Sequence, residues 1–186
     1  WKKIMNIFFD LKKLKHLGKN VIIGKTVRIR RPELVEIGDN TIIDDFCYIS
    51  TPLKIGRNCH ISSGVKINGG GTKLIIGDFV EIGANTVIST VSSDYINPSI
   101  SSAAINKKFH FGTIKEKISI RNHVSIGSLS LVLPGVNLPE GSAFAAMTVI
   151  RKKKYKKWSL YAGYNADYLL TRNGEKYLKK IKKIWK

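Results

Sequence analysis

An aliphatic residue recurs at every sixth position through most of this chain, a spacing used by neither a helix, which wants i, i+3, i+4 and i+7, nor a simple alternating strand. The run reads Ile37-Gly38-Asp39-Asn40-Thr41, Ile43-Asp44-Asp45-Phe46-Cys47, Ile49-Ser50-Thr51-Pro52-Leu53, Ile55-Gly56-Arg57-Asn58-Cys59 and Ile61-Ser62-Ser63-Gly64-Val65. After Ile67 and an interruption from Asn68 to Ile75 it resumes at Ile76-Gly77 and Ile82-Gly83 and stops at Ile88. It returns with Ile120, Ile126, Val132, Leu138 and Phe144. Four positions after each aliphatic residue stands a Val, Thr, Ser or Cys in most units. The physical reading is a stack of short strands joined by tight turns, with one long and one small side chain turned inward per unit and Gly, Asn or Asp at the bend. No unit buries its apolar face alone. Stacked units do, at roughly 1.5–3 kcal/mol per large inward residue.

Four segments depart from the period. In residues 1–19, Ile4, Ile7, Phe8, Leu11, Leu14 and Leu17 fall at helical spacing among lysines and predict a helical amphipathic arm that caps the stack; Trp1 with its paired lysines also suits a membrane surface. Asn68-Gly69-Gly70-Gly71-Thr72 lacks the Lys-Ser/Thr ending and following helix of a phosphate loop, so it reads as a corner insertion. The insertion 90–117 interrupts the repeat domain, 20–151, and carries Ser92-Ser93-Asp94-Tyr95 and Lys107-Lys108-Phe109-His110-Phe111. A loop of that length in a compact domain implies binding. Residues 152–186 leave the period, and Leu178, Ile181 and Trp185 mark one face of a basic amphipathic helix over 177–186.

Composition limits the partners. With 32 Lys+Arg against 13 Asp+Glu the net charge is +19, which brings nucleic acid, anionic membrane and polyphosphate ligands into consideration. Most of the excess lies in residues 1–19 and 151–186. Lysines scattered there, and not interleaved with aromatics on a sheet face, argue against nucleic acid. They suit phosphates of a ligand and peripheral contact with an anionic membrane, at roughly 1 kcal/mol per basic residue near the surface. Two cysteines, no apolar run of membrane-spanning length and a basic start cut short by Asp10, Lys12 and Lys13 with no cleavage site predict a cytoplasmic protein, placed at most against the inner membrane.

These hexads resemble the hexapeptide-repeat acyltransferases. The resemblance implies an all-β fold, a left-handed parallel β-helix with three hexads to a coil, and a homotrimer whose acetyl-CoA and acceptor sites lie at subunit boundaries. It runs through most of residues 20–172. Ile120-Arg121-Asn122-His123-Val124-Ser125-Ile126-Gly127-Ser128 and the following Leu133-Pro134-Gly135-Val136 are similar to a stretch of polysaccharide acyltransferases, which implies His123 as general base. Histidine, with an ordinary pKa near 6.5, is the usual base for a sugar hydroxyl, and a placed base is worth roughly 10²–10⁴ in rate. His110 and His60 are the other candidates; His16 reads as a surface residue. The sugar O-acetyltransferases of the fold carry a Thr-His-Pro-x-His-like loop where this chain has Val91-Ser92-Ser93-Asp94-Tyr95, and Asp94 is placed to orient a histidine or to accept a hydrogen bond from substrate. By position, Ser128 and Ala146 match small residues beside the pantetheine arm, and Lys152 and Arg172 match basic residues near the coenzyme phosphates. Trp158 to Ala166 is similar to the family's Trp-x-x-Tyr-x-Gly-Asn-Pro-Ala ending, with Tyr164-Asn165 in place of Asn-Pro.

The function so implied is acetyl-CoA-dependent O-acetylation of a sugar of a bacterial surface polysaccharide or lipopolysaccharide. N-acylation of a nucleotide-linked amino sugar is the alternative, since a neutral amine needs no strong base; a non-catalytic trimeric scaffold at a membrane is a further one. No metal is expected: His60, His110 and His123 lack the spacing of a zinc site of the carbonic anhydrase type that shares this fold.

Overall fold

The computed structural model describes residues 6–102 and 104–182; Trp1, Ile4 and Trp185, assigned above to the arm and the tail, lie outside them. The chain winds as a β-solenoid of about seven turns with three sheets as its faces, parallel throughout except where Asp167–Thr171 pairs antiparallel with Ser159–Ala162 at the end of the second. The first face stacks His16–Leu17, Val35–Ile37, Leu53–Ile55, Leu74–Ile76, Ile118–Ile120 and Asn137–Leu138. The second stacks Ile22–Ile23, Ile42–Ile43, His60–Ile61, Glu81–Ile82, Ser125–Ile126, Ala143–Phe144 and Ser159–Ala162, and the third runs from Arg28–Ile29 up to Val149–Ile150. Each hexad supplies one strand and one corner, so three hexads make a turn.

Register follows the aliphatic residues. Ile37, Ile55, Ile76, Ile120 and Leu138 pair in succession on the first face, and Ile49, Ile67, Ile88, Val132 and Ile150 on the third. Ile76 beside Ile120 leaps the whole insertion without loss of phase. The second inward position is held by buried Thr41, Cys47, Cys59, Val65, Val80, Thr86, Val124, Ser130, Ser142 and Thr148. Their hydroxyls are matched inside the corners: Thr41 Oγ1 donates to Gly56 O at 2.9 Å and Thr148 Oγ1 to Ala145 O at 2.7 Å.

The corners line up as three edges. Between the first and second faces lie Asn40, Asn58, Phe79, His123 and Gly141; between the second and third lie Phe46, Gly64, Asn85, Leu129 and Met147, and all of these hold left-handed φ. The third edge, between faces three and one, carries the Gly69–Gly71 bulge and the insertion. Val91–Ser93 pairs antiparallel with Thr113–Lys115 at the root of that insertion.

The N-terminal segment corrects the helical expectation. Its described part holds a single 3-10 turn, Leu11–Lys13, and then His16–Leu17 pairs with Glu36–Ile37, so the solenoid begins before residue 20. The backbone of the first turn needs partners more than the arm needs a helix. Asn6 Nδ2 donates to Gly24 O at 3.0 Å and Val27 O at 2.7 Å, and Ile7 N–H to Lys25 O at 3.0 Å. Among the described apolar residues at helical spacing only Leu14 is buried; Ile7 and Phe8 are exposed. The C-terminal helix, α1, spans Gly174–Ile181, starting earlier than its apolar spacing suggests, and Asn173 caps it by accepting from Lys176 N–H at 3.0 Å. Among the described residues no helix is long and apolar enough to cross a membrane.

Candidate active site along the edges of the solenoid

His123 sits on the first edge inside a column of rings. Its imidazole stacks on Phe79 at 5.2 Å and on Trp158 at 6.0 Å, and meets Tyr177 of α1 edge-on at 5.3 Å. Trp158 reaches it across Gly141, where a Cβ would lie 2.3 Å from the indole. Nδ1 of His123 is buried and finds no hydrogen-bond partner among the described residues. Burial holds the imidazole below its ordinary pKa, against the opposing pull of Glu140 and Asp78. The residue as a whole is half-buried, and these ring contacts make it part of the packing of the cap over the last turns.

Asp94 stands on the third edge, where the hairpin of the insertion turns. Its Oδ1 accepts from Ile96 N–H at 2.9 Å and Asn97 N–H at 3.2 Å, its Oδ2 from Asn97 Nδ2 at 2.8 Å. These donors, Asn97 first, hold the carboxyl below the usual aspartate range, so it is a fixed anion at neutral pH. His110 lies in the same insertion with Nε2 2.9 Å from Ile105 O, closing its own loop. His60, on the second face, has Nε2 2.8 Å from Asp44 Oδ2, both half exposed.

Ser128 and Ala146 do come together. They occupy the second edge one turn apart, and Met147 N–H donates to Ser128 O at 2.9 Å. Close stacking demands the adjacent glycine: a Cβ on Gly127 would lie 2.4 Å from Ala146 N. Leu129 and Met147 point out beside them, 59% and 70% exposed. Bulky residues in left-handed backbone, held out to solvent, form a narrow apolar track up this edge. At its top Arg151 Nη1 donates to Tyr164 O at 2.5 Å with its guanidinium 4.2 Å over the Tyr164 ring, and Lys153 Nζ donates to Asn165 O and Ala166 O.

Lys152 and Arg172 are not on that edge. Lys152 turns to the third edge and pairs with Glu116 at 2.6 Å. Arg172 belongs to the first edge, its Nη1 donating to Gly141 O at 2.7 Å. The basic run 151–154 was the available signal for Arg151 and Lys153; which of its members face the track depends on the backbone path after Ile150. Among the described residues no group of three His, Cys, Asp or Glu is placed to hold a metal.

Residues 35–69 match the bacterial transferase hexapeptide (six repeats) family model. The chain is 32% identical over 144 residues to dTDP-4-amino-4,6-dideoxy-D-glucose acyltransferase of Escherichia coli, covering 74% of this chain and 72% of that one. It superposes on AntD, an N-acyltransferase from Bacillus cereus solved with dTDP and 3-hydroxybutyryl-CoA, with a TM-score of 0.84, 27% identity and 97% of each chain covered. A variant of AntD solved with dTDP-4-amino-4,6-dideoxyglucose and coenzyme A gives a TM-score of 0.87 at 27% identity, covering 97% and 98%. Repeat, register and relatives agree, and the chain belongs to the hexapeptide-repeat transferases, as an acyltransferase.

Proposed function

We propose that this protein transfers an acyl group from acyl-coenzyme A to the amino group of a nucleotide-linked amino sugar. The observation that carries the reading is the likeness to AntD over 97% of the chain, which includes the insertion and the C-terminal cap as well as the repeats. Two features of the site support an amine over a polysaccharide hydroxyl. His123, the first candidate for the base that O-acetylation would need, packs its ring against Phe79, Trp158 and Tyr177, a role that needs no proton transfer. Asp94 is an exposed anion suited to draw in and orient an amino group.

In this reading the amine lone pair attacks the thioester carbonyl, the carbon–sulfur bond breaks, and coenzyme A leaves as the thiol with the surplus proton of the amine. The pantetheine arm follows the second edge past Ser128, Leu129, Ala146 and Met147, toward Arg151 and Lys153, which take the place of Lys152 beside the coenzyme phosphates. Acetyl-CoA is one donor that fits. Asp94 and Ser128 stand on different edges of one chain, and assembly of three copies about an axis along the solenoid sets the third edge of one against the second edge of the next. That separation supports a homotrimer with sites between copies.

The test is incubation with dTDP-4-amino-4,6-dideoxyglucose and either acetyl-CoA or 3-hydroxybutyryl-CoA, with thiol release followed and the nucleotide sugar weighed by mass spectrometry. An acyl mass gain on the amino sugar is expected. Thiol release with hydroxyl-bearing glycans and none with the amino sugar overturns the reading in favour of O-acetylation.

A further inference from the structure

The end of the solenoid beyond Val149–Ile150 is shut by aromatic rings. Tyr155 meets Phe144 edge-on at 5.2 Å and Tyr161 at 5.0 Å, while Phe144 and Tyr161 stack at 5.3 Å. Among the described residues no strand follows Asn137–Leu138 on the first face; the chain crosses there without joining a sheet, until Trp158 N–H donates to Glu140 O at 3.0 Å. Asp167–Thr171 then runs back as the last strand of the second face, paired on one side only. All five of its residues are exposed, Tyr168, Leu169 and Leu170 in a row. Single exposed apolar residues are ordinary, but a run of them on an open sheet edge marks a surface that something covers.

Charge gathers at the same end. Six of the residues 151–157 are Lys or Arg, and Asp167 is the only acid from 151 to 171. Lys152 is taken by Glu116, Lys157 lines a cavity with Glu140, and Arg151 and Lys153 donate to the carbonyls of Tyr164, Asn165 and Ala166. Lys154 and Lys156 remain, exposed and, among the described residues, without an ion pair. Lys156 Nζ stands 5.3 Å over the Tyr168 ring, which joins the lysine run and the open strand into one surface.

Three kinds of occupant compete for it. A second copy adding its own Asp167–Thr171 brings two lysine runs of like sign together, and the register shift beside Leu160 and Tyr161 spoils the ladder such pairing needs. A nucleic acid matches the lysines, but Leu169 and Leu170 offer its bases no ring to stack on. A bilayer with anionic headgroups satisfies both parts, headgroup charge meeting Lys154 and Lys156 and the interfacial hydrocarbon meeting Tyr168, Leu169 and Leu170. We propose that this end of the solenoid docks on an anionic lipid surface. The segments that the sequence marked for a membrane are otherwise engaged: Asn6 and Ile7 are bonded to the first turn at the opposite end, and α1 folds back along the first edge with Tyr177 against His123. The homotrimer proposed above sets three such ends in one plane, but the surface is complete in one chain and does not depend on the reaction.

Flotation of the full chain with vesicles tests this, phosphatidylcholine alone against an equal mixture of phosphatidylcholine and phosphatidylglycerol. Binding to the mixed vesicles alone, falling as salt rises, is expected. Lys154→Gln/Lys156→Gln should weaken it about thirtyfold, at roughly fivefold per basic residue near the surface. Leu169→Ser/Leu170→Ser should weaken it about tenfold through lost apolar burial. Lys12→Gln/Lys13→Gln takes two charges from the opposite end and should change it by less than about twofold. Since the altered side chains are exposed, each variant should keep the Tm of the parent, which certifies the fold. Absence of binding to the mixed vesicles, or an equal loss in the Lys12 and Lys13 variant, overturns the proposal. So does a smaller particle in lipid-free sedimentation of the leucine variant, which assigns the strand to a second copy, or retention of a DNA duplex in place of the vesicles. Acyl transfer measured without vesicles should be the same in all variants, so failure of the docking leaves the reaction standing and failure of the reaction leaves the docking standing.

Discussion

Replacing His123 with phenylalanine divides a packing role from a catalytic one. The imidazole contributes to three ring contacts, with Phe79, Trp158 and Tyr177, each worth about 0.5–1.5 kcal/mol beyond the area buried. A phenyl ring keeps all three. It also removes the unpartnered Nδ1, and a buried polar atom left unsatisfied costs about 1–3 kcal/mol. The left-handed backbone, φ 62° at His123, is already borne by Phe46 at 64° and Phe79 at 56°. Against the gain stands the repacking demanded by a larger ring, about 1 kcal/mol for overpacking of this size. The net expectation is stabilisation of about 1 kcal/mol and a rise in Tm of about 2–4 °C.

The pH dependence gives a second readout. Because burial depresses the pKa of His123 in the folded chain, the unfolded chain takes up the proton first. The stability contributed here is present above the unfolded value near 6.5 and is lost as pH falls from there toward the folded one. Melts at pH 7.5 and 5.5 should therefore differ less in His123→Phe than in the parent. Acyl transfer to an amino sugar should keep its kcat within about threefold, where loss of a general base costs roughly 10²–10⁴. A drop in kcat of about a hundredfold with Tm unchanged would refute the packing argument and return His123 to the role of base.

Gly127→Ala places a Cβ 2.4 Å from Ala146 N, backbone that cannot swing aside; urea unfolding should show a loss of about 2 kcal/mol or more. Cys47 and Cys59 are buried and their thiols are pushed up to about 11, so neither should react with a thiol reagent at pH 8 until the chain is unfolded. Asp94→Asn should raise KM for the amino sugar roughly fivefold, the scale of an exposed ion pair, with little change in kcat. Since the carboxyl is held below its ordinary value, that difference persists through neutral pH and closes only as pH falls through the depressed pKa.

Much of the architecture was legible because the signal is local. A hexad places one strand and one corner by its own covalent geometry and by the need to bury Ile37, Ile55 or Ile76, and each unit repeats the argument. Even the insertion was located this way, since the phase broken at Ile88 resumes at Ile120 and the two sides stack as if nothing lay between. The arm misled because apolar spacing at Ile7, Phe8 and Leu11 is a weak preference beside the backbone bonds offered by the first turn.

What the sequence by itself determined is the period, the inward residues and the family that shares them. The tertiary structure alone decided which side chains share an edge. His123 meets Trp158 and Tyr177 only because the aperiodic C-terminal segment folds back over Gly141. Lys152 leaves the second edge for Glu116, and Arg172 joins Lys176 and Lys180, through a chain path that no repeat governs. The reason is physical: a hexad's phase is set by its nearest neighbours, whereas an edge is assembled from residues a full turn or an insertion apart, and side chains find one another there only after the coil has closed.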